Sequence, residues 1–339
     1  MEKLLFDLCS LGGVSGNEVS ASEYCAEYLR RYTDDVKIDS FNNVIAVIGN
    51  NNADKTILLD AHIDRIGFVV TEIDDNGFIK LEKCGGVDVR TALDSPVVVH
   101  GKEDYFGVIC CMPPHLSDGN EDKAVSPDKL WVDVGLSADK VMQNVSFGDS
   151  VSFFAKPKML LNNRITASAL DNRAGVAAIL KAAEFISKLE INSRVIILLS
   201  SQEETFAAGA KTAPFNYDID ECISVDVSFA SQPGIDDQYR NISLGKGPML
   251  CISPILNRDL YETLKSLCED NSIDYQTEIC SGNTGTNSDH IALTKSGVRT
   301  ALVSIPEKNM HSQAEIVEIS DVEETARLIS LYVKGGQNV

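Results

Sequence analysis

The sequence predicts an α/β fold, a layered α/β sandwich with a mostly parallel central sheet, interrupted by a small inserted β domain. Residues 1–67 and 159–339 alternate between helical and strand-like segments. Residues 68–158 instead contain short strand-like runs separated by turn residues, with no long helical pattern. Because alternating helices and strands are typical of a sheet covered by helices, we expect the two outer stretches to form one discontinuous domain around the insert.

The elements of the first stretch and of the insert follow from their periodicity. Residues 17–33 have helical spacing, and the strand-like runs VIAVIG and TILLDAH come after them. In the insert, turn residues such as Asp75-Asn76-Gly77 separate short runs with strand character, which are VVVHG, YFGVICC, LWVDVG and DSVSFFA. We expect this part to be a small β domain.

The last stretch returns to strict alternation. An Ala-rich helix over 172–189 precedes the strand RVIILLSS, the strand CISVDVS and the helix DLYETLKSLCEDN. The alternation continues through YQTEICS, DHIALTKSG, RTALVSIP and DVEETARLISLYVKG. Strands joined by helices pair in parallel, which predicts the central sheet.

Composition limits the classes of function. The 339 residues include 30 Lys and Arg against 50 Asp and Glu, a formal net charge of -20. Such a surface repels nucleic acid and anionic membranes, so neither is an expected partner. The first residues lack a signal-peptide pattern, no apolar run reaches the length of a membrane span, and the nine cysteines have no regular spacing. These features predict reduced thiols and a cytoplasmic protein.

The most informative feature is a pair of adjacent carboxylates. The apolar run that starts at Arg194 ends in Glu203 and Glu204. Desolvating two like charges at the edge of a core is costly unless a cation is present. With a cation, one carboxylate can bind metal while its neighbour moves a proton. The alternative is that both side chains simply reach solvent from a loop.

Five further residues lie at or near strand ends or strand–helix junctions. His62 ends a buried strand and Asp64 follows two residues later, which would place both side chains on one face. Asp171 opens the Ala-rich helix, Asp226 interrupts an apolar strand, and His311 follows another. Three of them have an ordinary alternative: a core histidine held by Asp64, a helix N-cap at Asp171, and a loop histidine at His311. An unpaired Asp226 in a buried strand would be costly.

Taken together, these positions predict a metal site. The carboxyl ends of strands in an open α/β sheet meet at one crevice. Histidines with several carboxylates form a ligand set suited to zinc, cobalt or manganese. Three or more carboxylates exceed what one ion needs, which favours two ions sharing a bridging Asp.

The motifs in their order resemble the tetrahedral aminopeptidases, the glutamyl-aminopeptidase-like dinuclear metallopeptidases, some of which are named endoglucanases. The resemblance covers nearly the whole chain. It is carried by GGVSGNE, AHIDRIGFVV, GGVDVRTALDSPVVVHGK, PPHL with LWVDVG, ALDNRAG, QEET, SVDVS and SIPEKNMHSQAEIVEISDVEETARLI.

The resemblance implies a zinc-exopeptidase-like catalytic domain and two divalent metal ions, zinc or cobalt, with manganese as a further candidate. One ion would bind His62, Asp171 and Asp226. The second would bind Asp171, Glu204 and His311. Asp171 would therefore bridge the two ions. Glu203 would be the general base that takes a proton from a bridging water, and Asp64 would orient His62. The resemblance also implies a cis peptide bond after Asp171.

The implied activity is a metal-dependent aminopeptidase that removes N-terminal residues from short peptides. One alternative is a related co-catalytic metal amidohydrolase or deacylase acting on small N-acyl substrates. Another is an inactive metal-bound scaffold, although a scaffold has no need of Glu203. The insert, residues 68–158, would be a PDZ-like or barrel-like domain for dimerisation and assembly, with dimers building a tetrahedral dodecamer.

Four places depart from the family pattern. Near the end of the chain, GNTGTNSDH differs from the usual T-D-A segment, and Lys308 stands where Arg is common. Arg65 stands where the family commonly has Glu, and its guanidinium could favour an acidic substrate or form a salt bridge. Thr205 to Ala208 replace the usual residues after QEE. Substrate preference therefore does not follow from the resemblance.

Overall fold

The computed structural model describes residues 1–112 and 129–335. The PPHL motif lies outside these residues. The helices, α1 to α9 in chain order, are Glu2–Cys9, Val19–Leu29, Val89–Ala92, Ala138–Asn144, Leu170–Ile186, Ala208–Thr212, Arg258–Asp270, Ser288–Ile291 and Ile319–Val333.

The strands, β1 to β17 in chain order, fall into three groups. They are Val36–Ile38, Val44–Gly49, Thr56–His62, Gly67–Ile73, Ile79–Cys84, Pro96–His100, Asp104–Ile109, Trp131–Asp133, Ser150–Phe153, Lys158–Leu160, Arg164–Ala167, Arg194–Ser200, Glu221–Phe229, Met249–Ile252, Gln276–Ile279, Arg299–Glu307 and Glu315–Glu318.

The central sheet has eight strands in the order β1-β2-β12-β3-β13-β16-β14-β15. Its middle strands β12, β3, β13 and β16 are all parallel to one another. Antiparallel pairs flank this middle part at β2 and β14. A parallel sheet is buried on both faces, and every residue of β3 is buried accordingly. The predicted α/β fold with a mostly parallel central sheet is confirmed.

Helices cover both faces of this sheet, which produces the layers. Val44, Ala46 and Ile48 of β2 pack into the larger core, which includes residues of α1, α2, α5, α7 and α9. The alternate residues Ile45 and Val47 point to the opposite face, where residues of α6 and α8 cover them. This alternation is the period of two expected for a strand.

A closed β-barrel interrupts the α/β part of the chain. Its strands follow the order β4-β5-β8-β7-β6-β9 and span Gly67 to Phe153. The barrel has its own apolar core, built on residues such as Phe68, Leu81 and Val99. Closure leaves no unpaired strand edge. Of the two forms expected for this part, PDZ-like and barrel-like, the structure has the barrel.

Two further observations concern the cysteines and the search for membrane-spanning helices. All nine cysteines are free thiols. Within the described residues, no helix combines the length and the apolar character needed to cross a membrane.

Candidate metal centre

The predicted site residues meet at the carboxyl ends of the parallel strands. His62 is the last residue of β3, and Asp226 lies near the end of β13, the next strand in the sheet. Asp171 lies in a non-helical break at the start of α5, so it does not act as a helix N-cap there. The peptide bond after Asp171 is cis, as the resemblance implies.

The first group of side chains surrounds one nitrogen of His62. His62 Nε2 lies 3.2 Å from Asp171 Oδ1 and 3.5 Å from Asp226 Oδ1. The three side chains are almost completely buried. Such spacing between an imidazole nitrogen and two carboxylates leaves the donor atoms facing one common point.

The second group shares Asp171. His311 Nε2 lies 3.2 Å from Asp171 Oδ2 and 3.4 Å from Glu204 Oε2. The other oxygen of Glu204, Oε1, is buried without a hydrogen-bond partner. The backbone of His311 is left-handed, with φ 61°, and its ring lies so close to Gly86 that a Cβ there would be 2.5 Å from Nδ1.

Both groups have donor sets that suit divalent cations. In each one, a ligand atom from every residue lies within 4.8 Å of the others, and the groups are His62–Asp171–Asp226 and Asp171–Glu204–His311. Imidazole nitrogens with carboxylate oxygens are ligands for zinc and similar ions. The unpaired Glu204 oxygen is a second sign of fit, since a buried carboxylate oxygen needs a cation or a donor. The residues present therefore fit two ions that share Asp171.

The electrostatics of the pocket also favour added positive charge. Burial alone would lower the pKa of His62, but the carboxylates of Asp226 and Glu203 outweigh it and raise that pKa well above the usual value. Burial, and then the charge of Asp171, raises the pKa of Glu204. Carboxylates packed this closely are costly without a counter-charge.

Asp64 holds the turn that carries the two glutamates. Its carboxylate accepts hydrogen bonds from the backbone N–H of Glu203 at 2.9 Å and of Glu204 at 3.1 Å. Its Oδ1 also lies 3.4 Å from His62 Nδ1, on the side of the ring away from Asp171 and Asp226. One buried carboxylate thus fixes both the imidazole and the glutamate pair, a role that the sequence indicated only for the imidazole.

The strand before this pair ends earlier than expected. The apolar run suggested that the glutamates close β12, but β12 ends at Ser200. Gln202 then adopts a left-handed conformation with φ 58°. The amide oxygen of Asn43 accepts from Ser201 N at 2.8 Å and anchors the turn.

Glu203 stands apart from both groups. Its Oε2 lies 3.9 Å from His62 Nε2, and its carboxylate lines the same cavity as both groups. Burial raises the pKa of Glu203 to about 8, and the charges of Asp226, Asp64 and Asp171 add to the effect of burial. A carboxylate near metal ligands, with a pKa above its usual value, is suited to accept and return a proton.

The site opens into a cavity of about 450 Å³. All six side chains just described, apart from the supporting Asp64, contribute to its wall: His62, Asp171, Glu203, Glu204, Asp226 and His311. A concave pocket with converging polar groups is the usual form of a small-molecule or peptide-end site.

Sequence reasoning missed two buried glutamates behind the site. Glu315 Oε2 accepts a hydrogen bond from Asp171 N at 3.2 Å. Glu307, at the end of β16, is completely buried and neither of its oxygens has a hydrogen-bond partner. The sequence signal was weak in both cases, because Glu307 is the last residue of β16 and Glu315 is the first residue of β17, where a charged residue is ordinary.

Two of the residues that depart from the family pattern, Arg65 and Thr205, lie in different surroundings. Arg65 is buried and donates to the backbone oxygen of Phe153 at 3.5 Å, and it is not part of the cavity wall. This position gives no support to contact between Arg65 and a substrate. Thr205 lies 3.1 Å from Ser15, hydroxyl to hydroxyl, beside the glutamate turn.

Known proteins resemble this chain over most of its length. A model of the M42 glutamyl aminopeptidase family matches residues 42–328. The lysyl aminopeptidase of Pyrococcus furiosus is 32% identical over 323 residues, which cover 93% of this chain and 92% of that protein.

Two solved structures show the same architecture. An aminopeptidase from the archaeon Desulfurococcus kamchatkensis matches with a TM-score of 0.91 at 32% identity, covering 98% of this chain and 94% of that one. The TET1 peptidase of Pyrococcus horikoshii, described as able to assemble into a tetrahedron or a large octahedral shell, matches with a TM-score of 0.86 at 28% identity, covering 98% and 99%. The similarity therefore includes both the central sheet and the barrel.

Proposed function

Because the chain belongs to the M42 glutamyl aminopeptidase family, we propose that it is a metal-dependent aminopeptidase that removes N-terminal residues from short peptides. The observation that carries this proposal is the pair of donor groups joined at Asp171, one buried and one partly buried, with Glu203 beside them. A related amidohydrolase would use the same ligands, so the substrates in the test below decide between the two.

In this proposal, His62, Asp171 and Asp226 hold one divalent ion. Asp171, Glu204 and His311 hold the other, with zinc or cobalt as the expected metals and manganese as a further candidate. Two such ions, when bound, would lower the pKa of a shared water and polarise the scissile carbonyl, as co-catalytic pairs about 3.5–4 Å apart do.

The remaining chemistry belongs to the residues of the chain. Glu203 accepts the proton of the attacking water and returns it to the leaving amine. Asp64 keeps that base in position through the two backbone N–H groups of the glutamate turn. It also orients His62 through the ring nitrogen that faces away from the cavity. Burial of His62, Asp171 and Asp226 keeps bulk water from the first donor group and strengthens the interactions there.

Hydrolysis of aminoacyl-anilides tests the proposed activity directly. We expect release of aniline from substrates with a free α-amino group, loss of the activity after treatment with a chelator, and recovery with Zn²⁺, Co²⁺ or Mn²⁺. The matched substrates are the same anilides with an acetylated amino group. Release of acetate from the acetylated set, with no release of aniline from the free-amine set, would support a deacylase instead. Activity unaffected by removal of all metal would contradict both.

We also propose that residues 68–158 form an inserted domain that serves assembly. The barrel exposes several large apolar side chains, and two of them, Phe106 and Phe154, form an edge-to-face pair with ring centres 5.2 Å apart. Exposed apolar groups that pair in this way are typical of contact surfaces between subunits. The TET1 peptidase, which can assemble into a tetrahedron or a large octahedral shell, supports a closed assembly. We expect dimers of this chain to build a dodecamer, in a reducing cytoplasm.

Native mass spectrometry will measure the mass of the assembly. We expect a species of twelve chains in wild type, and smaller species after Phe106→Ser with Phe154→Ser. The exposed Phe215, on the α/β part of the chain, provides the matched control, Phe215→Ser, which should leave the mass unchanged. A fully active monomer would contradict the assembly proposal.

A further inference from the structure

One carboxylate in the cavity wall has no part in the proposed metal chemistry. Glu278 lies on β15, and its side chain is buried to all but 6%. Both of its oxygens accept hydrogen bonds from serine hydroxyls, one from Ser228 and the other from Ser304 at 2.8 Å. An ionised carboxylate can only accept hydrogen bonds, so two donors on two oxygens favour the charged form.

The strand register places Glu278 on the same wall as Asp226. Ser304 of β16 pairs with Asp226 of β13, and Ser228 follows Asp226 by two residues, which puts it on the same face. The serines therefore lie between Asp226 and Glu278. Glu278 lies on β15, the edge strand of the sheet, and is therefore farther from β3 and His62 than Asp226 is.

The charges in the cavity leave Glu278 without a partner of opposite sign. His62 and His311 face the carboxylates of the two donor groups. Among the described residues, no lysine or arginine lines the cavity. Two divalent ions would offset the carboxylates of the donor groups and of Glu203, but Glu278 remains. A buried charge of this kind is stabilised by an incoming cation.

The surfaces beside Glu278 suit an aliphatic chain rather than a second charge. Phe229 and Tyr239 form an edge-to-face pair with ring centres 5.2 Å apart, and both rings line the cavity together with Met310. Long basic side chains bury their methylene groups against such surfaces and keep the charge at the tip. Aromatic faces also attract cations.

We propose that Glu278 selects peptides whose N-terminal residue has a cationic side chain, lysine or arginine. The inference rests on the proposed aminopeptidase function. The α-amino end lies at the donor groups, the methylene chain lies along Phe229 and Tyr239, and the cationic tip meets the Glu278 carboxylate. An acidic side chain would meet a buried like charge and is rejected.

The ionisation of Glu278 agrees with this role. Burial raises its pKa above the usual value, while the hydroxyls of Ser228 and Ser304 act in the opposite direction and favour the charged form. Burial removes the water that would stabilise the ionised carboxylate. A cationic partner would replace that stabilisation and favour the ionised form of Glu278.

The test compares kcat/KM for Lys-, Arg-, Leu- and Glu-anilides in wild type and three variants. In wild type, we expect Lys and Arg to exceed Leu at least tenfold and Glu to be slowest. Glu278→Gln keeps the shape but removes the charge, so the Lys-to-Leu ratio should fall at least tenfold. Glu278→Asp keeps the charge, so this variant should still prefer the Lys- and Arg-anilides over the Leu-anilide.

Glu262→Gln is the matched control, because Glu262 is an exposed glutamate on α7 outside the cavity. Its ratios should equal those of wild type. A wild type that prefers Leu or Glu, or a Glu278→Gln variant that slows all four substrates equally, would overturn the inference and leave the aminopeptidase function intact. Absence of cleavage of every anilide in metal-loaded wild type would instead overturn the proposed function.

Discussion

Replacing Glu203 by Gln is expected to lower kcat by about 10²- to 10⁴-fold, the range that a positioned general base contributes. The amide cannot take the proton of the attacking water, although it fills the same space. The backbone N–H of residue 203 still donates to Asp64, so the turn should keep its shape. Anilide hydrolysis with saturating metal measures the effect.

Metal content distinguishes loss of the base from loss of the site. By elemental analysis, Glu203→Gln should hold as much metal as wild type, because Glu203 belongs to neither donor group. Glu262→Gln makes the same chemical change on the surface and should retain full activity. Near-normal turnover in Glu203→Gln would remove this residue from the role of base.

Replacing Asp171 by Asn is expected to abolish activity by removing both metals, since Asp171 alone belongs to both donor groups. Its two oxygens face different histidines, Oδ1 towards His62 and Oδ2 towards His311. An amide supplies only one oxygen and no charge. We therefore expect bound metal to fall from about two ions per chain to less than one.

Thermal melting gives a readout that does not depend on turnover. A ligand that binds only the folded state stabilises it, by about 2.7 kcal/mol at a concentration 100 times Kd. Added Zn²⁺ should therefore raise the melting temperature of metal-free wild type, and also of the surface control Asp270→Asn, but not of Asp171→Asn. An equal rise in all three proteins would place the metal elsewhere.

Local pattern was sufficient for the fold. The change from helix–strand alternation to short runs predicted a small β domain within an α/β sandwich, without deciding that it is a barrel. The motifs predicted the family, which the match over residues 42–328 confirms. Strand ends predicted the meeting of His62 and Asp226, because parallel neighbours end at the same edge. The roles assigned to these residues remain proposals.

What local pattern could not supply was the pairing between distant strands. Glu278 reaches the cavity only because β15, β14 and β16 are neighbours in the sheet, and nothing in YQTEICS states that order. Asp64 contacts the backbone of Glu203 across 139 residues of sequence. The exact end of β12 likewise depends on the Asn43 anchor, which an apolar run does not reveal.

The close fit between Gly86 and His311 has a consequence for the barrel as a whole. Gly85 and Gly86 follow barrel strand β5, and a Cβ on them would lie 3.4 Å from Glu204 Cβ and 2.5 Å from His311 Nδ1. The loop therefore packs tightly between the barrel and the donor groups, and it leaves little space for the barrel to move relative to Glu204 and His311. In the proposed assembly, a tilt of the barrel would move Gly86 against His311 and change the geometry of the second proposed donor group.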